Sequence, residues 1–348
     1  MKAKPLFRLA SSSNKLRTIS QYGLRAAGPA VLTFMLLSAL GAFAAERAPR
    51  YRLHVIEPPP GVSWMDLADL NNSGDVLGNA GRPFIYSRGK MTFFSFDAAS
   101  SLATGINDLG QIVGLRRSGL SDPWHPCLFS DGKVIDLDTF TGQPLATVID
   151  INNAGVIAGE LYLTNLMEGW LYQLAAFIYP DGTVTTPPVP VGARSLRVLA
   201  MNNSGQSAGW IEWLWPGPPS TAAIFSETET VVIPLDSRNT AAEGINDSGA
   251  AVGRYLGGGY VFENGVVNIL PSFSASDINN AGQIVGMSGG RLFLYSGGVL
   301  YDLNDLVNGG QDVTIGTPRK INDRGQILGY GVRGSTTVGY LLTPIGAR

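Results

Sequence analysis

The chain has 348 residues, 45% of them hydrophobic and only 15% charged. That balance excludes a disordered chain, and the length is ample for one large core. The net charge is −2, and a lone cysteine, Cys127, excludes any disulfide within the chain.

The first segment reads as a targeting signal. Residues 1–25 hold Lys2, Lys4, Arg8, Lys15, Arg17 and Arg25 and no acid, and an apolar run from Ala26 to Ala45 follows. Gly28 and Pro29 shorten its apolar part to Ala30–Ala44, and Ala42-Phe43-Ala44 puts small residues where a signal peptidase reads. Residues 1–44 are therefore expected to be a cleaved signal peptide, with export to the periplasm or the extracellular space. The run is also about one membrane span long, so an uncleaved anchor is the competing reading and the only expected tie to a membrane. Cleavage leaves 19 basic against 27 acidic residues, near −8. Nucleic acid is then excluded as a natural partner.

Residues 45–50 form a short linker, and 51–348 a single domain built on one phrase repeated seven times. The phrase is Leu70-Asn71-Asn72-Ser73-Gly74-Asp75-Val76-Leu77-Gly78, then Ile106-Asn107-Asp108-Leu109-Gly110-Gln111-Ile112-Val113-Gly114. Further copies start at Ile151, Met201, Ile245, Ile278 and Ile321, at spacings of 33 to 50 residues. An Asn that accepts a backbone hydrogen bond, with Gly three residues later, predicts a tight hairpin turn. Adjacent apolar residues after it, as in Ile112-Val113, predict strands covered on both faces.

A second hairpin follows each phrase. Phe84-Ile85-Tyr86 passes Gly89, Leu128-Phe129 passes Asp131-Gly132, Phe177-Ile178-Tyr179 passes Asp181-Gly182, and Val261-Phe262 passes Asn264-Gly265. The fourth copy, Ile224-Phe225 to Val231-Val232, lacks the turn glycine. Each unit so supplies four antiparallel strands, the content of one propeller blade. After the seventh phrase only Gly339-Tyr340-Leu341-Leu342 remains, a third strand without a fourth. Tyr51-Arg52-Leu53-His54-Val55-Ile56 fits as that fourth strand. The expected fold is an all-β, seven-bladed propeller closed by pairing of its N- and C-terminal strands, which leaves no open sheet edge. An open solenoid is the alternative.

The Ile-Asn-x-x-Gly-x-Ile-x-Gly phrase and the Ala-Phe strand after it resemble the repeats of the HAF family of extracellular bacterial repeat proteins, across essentially all of 51–348. The His-Ala-Phe triplet of that family is degraded here to Ala176-Phe177, His125-Pro126-Cys127 and Arg82-Pro83-Phe84. The resemblance implies export and a repeat fold; it implies no activity and no functional residues.

Few residues carry an obvious chemistry. Asp occupies the second turn position in three copies (Asp108, Asp247, Asp323) and Asn in four, too few carboxylates for the six to eight oxygens of calcium. Gly286-Met287-Ser288-Gly289-Gly290 matches a nucleophile elbow but lies between strands with no helix after it, and the chain has only His54 and His125. No HExxH, histidine pair or cysteine cluster points to a metal, and no cofactor is expected. Cys127 is expected to be a small buried group in a strand.

The asymmetric feature is aromatic. The connection after the phrase spans 15, 20 and 16 residues in units two to four, against 8 to 13 elsewhere. Trp124, Trp170, Trp210, Trp213 and Trp215, five of six tryptophans, lie in these stretches. In a closed ring such connections emerge on the face that also carries the blade-to-blade links. The leading expectation is an exported, monomeric binding scaffold that holds a glycan or protein ligand through these tryptophans. The bland alternative is that the longer connections fold over one another and bury them. A polysaccharide hydrolase or lyase using carboxylates at the ring centre is a second reading, and a structural matrix protein a third.

Overall fold

The computed structural model describes residues 8–9, 48–62, 64–138, 145–164, 171–214, 217, 219–270, 273–308 and 312–346. Apart from Arg8–Leu9, the expected signal segment lies outside them. Among the described residues no helix is long and apolar enough to cross a membrane.

The chain is a seven-bladed β-propeller. Blades 1 to 6 span residues 66–93, 100–136, 145–185, 193–232, 241–270 and 274–302, each an antiparallel sheet of four strands in chain order. Blade 7 takes three strands from 314–344 and its fourth from Tyr51–Ile56. That strand runs antiparallel to Thr336–Pro344, with Tyr51 opposite Pro344 and Ile56 opposite Gly339. The ring is thus closed by the two ends of the domain, and the Ile345 amide donates to the Arg50 carbonyl at 2.7 Å. Short parallel strands extend blades 6 and 7 outward: Arg8–Leu9 on Val299–Leu300, and Val307–Asn308 on Tyr51–Arg52.

Strand order fixes two unlike faces. The turns between strands 1 and 2 and between strands 3 and 4 lie at one end of every blade, here the turn face. The connections between strands 2 and 3, and from blade to blade, lie at the other end, the loop face.

Each phrase is a three-residue hairpin loop. Its first Asn carbonyl accepts from the Gly three residues on in all seven copies. Those glycines have φ of +71° to +84°, a left-handed conformation open to Gly without cost. The second hairpins use left-handed pairs such as Asp131-Gly132 and Asn264-Gly265, while blade 4 closes through Ser226 and Glu229 without a glycine.

The first strand of every blade carries a β-bulge just before the phrase, as between Leu67 and Asp69 or Ala242 and Gly244. The same slip recurs in the other five blades. This kink accounts for the ninth residue of the phrase. A Cβ on Gly78, Gly114, Gly159, Gly209, Gly253, Gly286 or Gly329 would collide with a carbonyl of the bulged strand.

The core lies between blades rather than within them. Val156, Ala158 and Phe177 of blade 3 pack on Leu196, Val198, Ile211 and Phe225 of blade 4, and other seams repeat the arrangement. Ile112 and Val113 are both fully buried, one on each sheet face, as their adjacency requires. Cys127 is buried in the third strand of blade 2, where burial pushes its thiol up to about 12.

Candidate functional site: an axial shaft and an irregular loop face

The paired Asn/Asp residues of the phrase do more than turn the chain. The first Asn uses Oδ1 within its own turn, accepting from the amide four residues on. Its Nδ2 donates to the carbonyl of the first Asn in the next blade. Asn71 donates to Asn107, and so on through Asn152, Asn202, Asn246, Asn279 and Asn322, which returns to Asn71, at 2.8–3.3 Å. The second residue forms another closed circle. The amide of Asn72 donates to Asp108 Oδ1, and the series continues through Asn153, Asn203, Asp247, Asn280 and Asp323 back to Asn72 at 2.6–2.9 Å. The carboxylates of Asp108, Asp247 and Asp323 are taken up by these bonds and by amides of neighbouring Asn side chains.

Below these rings, on the axis, lies an open cavity of about 140 Å³. Its floor is lined by Asp69, Asp150, Ala200, Asp277 and Lys320, each two before the first Asn of its phrase, a position held by Gly105 in blade 2 and Gly244 in blade 5. Asp69 accepts from the Ile106 amide at 3.0 Å, Asp150 from Met201 at 3.0 Å, and Asp277 from Ile321 at 2.9 Å, each amide belonging to the next blade. Lys320 Nζ lies 3.6 Å from Asp69 Oδ1. Gly105 and Gly244 leave the space that Asp150 and Asp277 fill, since a Cβ there would crowd both aspartates. Burial pushes the Asp277 carboxyl up to about 6 against the pull of Lys320, and burial together with the Asp69 charge raises Asp150. Burial alone would lower Lys320, but the three carboxylates outweigh it and hold the ammonium above its usual range.

Glycosidic chemistry needs one carboxyl free to protonate a leaving group and another free to attack or to activate water. All three shaft carboxyls instead serve backbone amides of the adjacent blade. Ser288 of the Gly-x-Ser-x-Gly match ends a strand whose hairpin turns through Gly289 and Gly290, both left-handed, so no elbow forms. His125 Nδ1 lies 2.6 Å from Asp138 Oδ2, and among the described residues no group of acids, histidines and cysteine is arranged to hold a metal ion.

The loop face is irregular. Trp124 immediately precedes the third strand of blade 2, half-buried beneath the Arg117 guanidinium, 4.6 Å above its ring. Trp210 and Trp213 stand on the second strand of blade 4, because the extra length of that unit is spent on longer strands. Arg197 lies 5.5 Å from the Trp210 ring, and Trp213 donates through Nε1 to Thr221 Oγ1 at 2.9 Å while packing on the blade 3–4 core. Trp170 and Trp215 lie outside the described residues. The described members are thus brought to the loop side of blades 2 and 4, each partly covered. Among the described tryptophans the open one is Trp64, which the repeat pattern passed over, 53% exposed in the Pro-rich link from blade 7 to blade 1. Aliphatic side chains stand out on the same face, with Leu120 78% and Leu256 91% exposed, joined by Val189, Val191 and Leu214.

No family model matches the chain, and no curated protein does. Solved structures do. The acylaminoacyl peptidase of Pyrococcus horikoshii aligns with a TM-score of 0.52 at 10% identity, over 82% of this chain and 52% of that one. The extracellular domain of a hybrid two-component system of B. thetaiotaomicron gives 0.52 at 11%, over 86% and 40%. A gluconolactonase of Xanthomonas campestris gives 0.45 at 12%, over 87% and 93%. The likeness is one of fold.

Two features escaped the reading of single phrases. The shaft acids become visible when the seven phrases are stacked and the column two before the first Asn is read across. The Asn rings leave the same trace, an amide-bearing residue in every copy, but a turn already accounts for that residue.

Proposed function

We propose that the protein is an exported recognition scaffold that binds a protein ligand on its loop face. The observation that carries this reading is the asymmetry of exposure. Among the described residues Leu120, Val189, Val191, Leu214, Leu256 and Trp64 project from the loop face, whereas the turn face is a repeated hydrogen-bonded rim with fewer exposed apolar groups, Leu109, Val266 and Ile345. Aliphatic groups beside Arg-stacked tryptophans have the composition of a protein interface core. A glycan would need open flat rings, which favours it less, since Trp124, Trp210 and Trp213 are partly covered. Arg50 and Ile345 meet at the turn face, so the two ends of the blade-forming segment emerge opposite the loop face. The HAF-like repeats are consistent with export. The shaft carboxyls are committed to the seams, which supports binding over a hydrolase or lyase reading.

The test is ligand capture by cross-linking from envelope and secreted fractions, alongside a glycan array. Leu120→Asp with Leu256→Asp is expected to weaken binding at least tenfold, with Leu109→Asp on the opposite face unaffected. Loss caused by Leu109→Asp alone would place recognition on the turn face and sink the proposal. Array hits abolished by Trp64→Ala would replace the protein ligand with a sugar.

A further inference from the structure

The shaft floor is out of charge balance. Three carboxylates, Asp69 from blade 1, Asp150 from blade 3 and Asp277 from blade 6, face one ammonium, Lys320 from blade 7, across the axial cavity. Blades 2, 4 and 5 contribute Gly105, Ala200 and Gly244 at this level, which bring no charge. Arg319, next to Lys320, adds a more distant positive charge that acts against the ammonium, while Asp108, Asp247 and Asp323 at the mouth add negative charge. Lys320 can neutralise one carboxylate, and its nearest partner is Asp69. Of the other two, Asp277 is buried and Asp150 half-buried, both on the wall of the same shaft.

We propose that the axial layer Asp69–Asp150–Asp277–Lys320 is a proton-uptake site, in which mild acidity neutralises Asp150 and Asp277 and so tightens the seams between blades 3 and 4 and between blades 6 and 7. A protonated carboxyl still accepts the Met201 or Ile321 amide through its carbonyl oxygen, so uptake removes repulsion without breaking either seam bond. The raised carboxyl of Asp277, near 6, and that of Asp150 place the transition between neutral and mildly acidic conditions. The sign follows from linkage. A folded state that holds protons the unfolded chain releases is most stable at low pH, and loses that stability as pH rises from about 4 to about 6. The resulting device is a ring tighter at pH 5 than at pH 7.5, independent of which ligand the loop face holds.

Thermal unfolding of the full chain at pH 7.5 and pH 5.0, at one salt concentration, tests it. The wild-type Tm is expected to rise on the order of 5 °C at pH 5.0, for two protons taken up in this window. Asp150→Asn with Asp277→Asn, which imitates the protonated pair, should reduce that rise to about 1 °C. Asp277→Asn alone should halve it, and Lys320→Gln should steepen it. A wild-type Tm that is equal or lower at pH 5.0, or a rise that Asp277→Asn leaves whole, overturns the proposal.

Discussion

The turn face and the loop face are opposite ends of the same strands, yet sequence controls them by different rules. At the turn face every blade repeats one phrase, and the repeated Asx side chains reach sideways into the next blade until both circles close. At the loop face no phrase repeats. Blade 4 lengthens its strands, blades 5 and 6 turn through Leu256-Gly257 and Gly289-Gly290, and blade 6 reaches blade 7 through a short helix, Leu303–Leu306. The difference teaches where cooperativity resides. A bond from each blade to the next at one end makes the ring a single unit there, so the other end is free to vary without opening it.

The largest expected effect comes from opening the ring. A chain starting after Glu57 lacks the fourth strand of blade 7, exposes the edge of Thr336–Pro344 and removes the buried Tyr51 and Ile56. It is expected to aggregate or unfold, because an unpaired edge invites other chains. A chain starting at Ala45 keeps that strand and should remain folded. Size-exclusion chromatography with circular dichroism separates the two, and a monomeric, folded product from the shorter chain would mean that closure contributes little.

Next comes a break in the inner circle. Asn202→Ala deletes the bond from Nδ2 to the Asn246 carbonyl and the bond that Oδ1 accepts from the Gln206 amide, at a buried site. Unpaired buried groups cost about 1–3 kcal/mol each, so a loss of about 3 kcal/mol is expected in denaturant unfolding. Asn202→Asp should not rescue it, since its second oxygen would face a carbonyl. A cost under about 1 kcal/mol would show that water replaces these bonds readily.

These expectations also mark how far the sequence could be read. The blades were legible because hairpin chemistry is local: Asn and Gly at fixed offsets within nine residues, then Asp-Gly or Asn-Gly a few residues on. Closure was legible by counting strands, with Tyr51–Ile56 supplying the one that residues 336–344 lacked. The partner of Asn72 was not, because Asp108 lies 36 residues away in another blade and nothing local refers to it. The invariant ninth glycine was visible, but its cause, a neighbouring carbonyl brought close by a bulge, belongs to the sheet. The setting of the tryptophans was hidden for a related reason. Length after the phrase was read as loop, whereas Trp210 and Trp213 extend a strand and lean on Arg197 and Thr221.

The smallest expected effect lies in the outer circle, where the comparison becomes one of arithmetic. Donor Asn and acceptor Asp alternate around it, but seven members cannot alternate completely, so one pair of like neighbours is forced. The sequence places it at Asn153 and Asn203, where the Asn153 amide still donates to Asn203 Oδ1 but no side-chain bond joins the two. Like amides are the cheaper choice, because an Asp pair would set carboxylates side by side. Asn203→Asp moves the defect to residues 203 and 247 and adds such a pair at an exposed rim. Its cost should be about 1 kcal/mol or less at low salt, and should shrink further near 1 M salt, where the screening length falls to about 3 Å. A cost that ignores salt would mean that lost hydrogen bonds, and not charge, decide which residue each blade places in the outer circle.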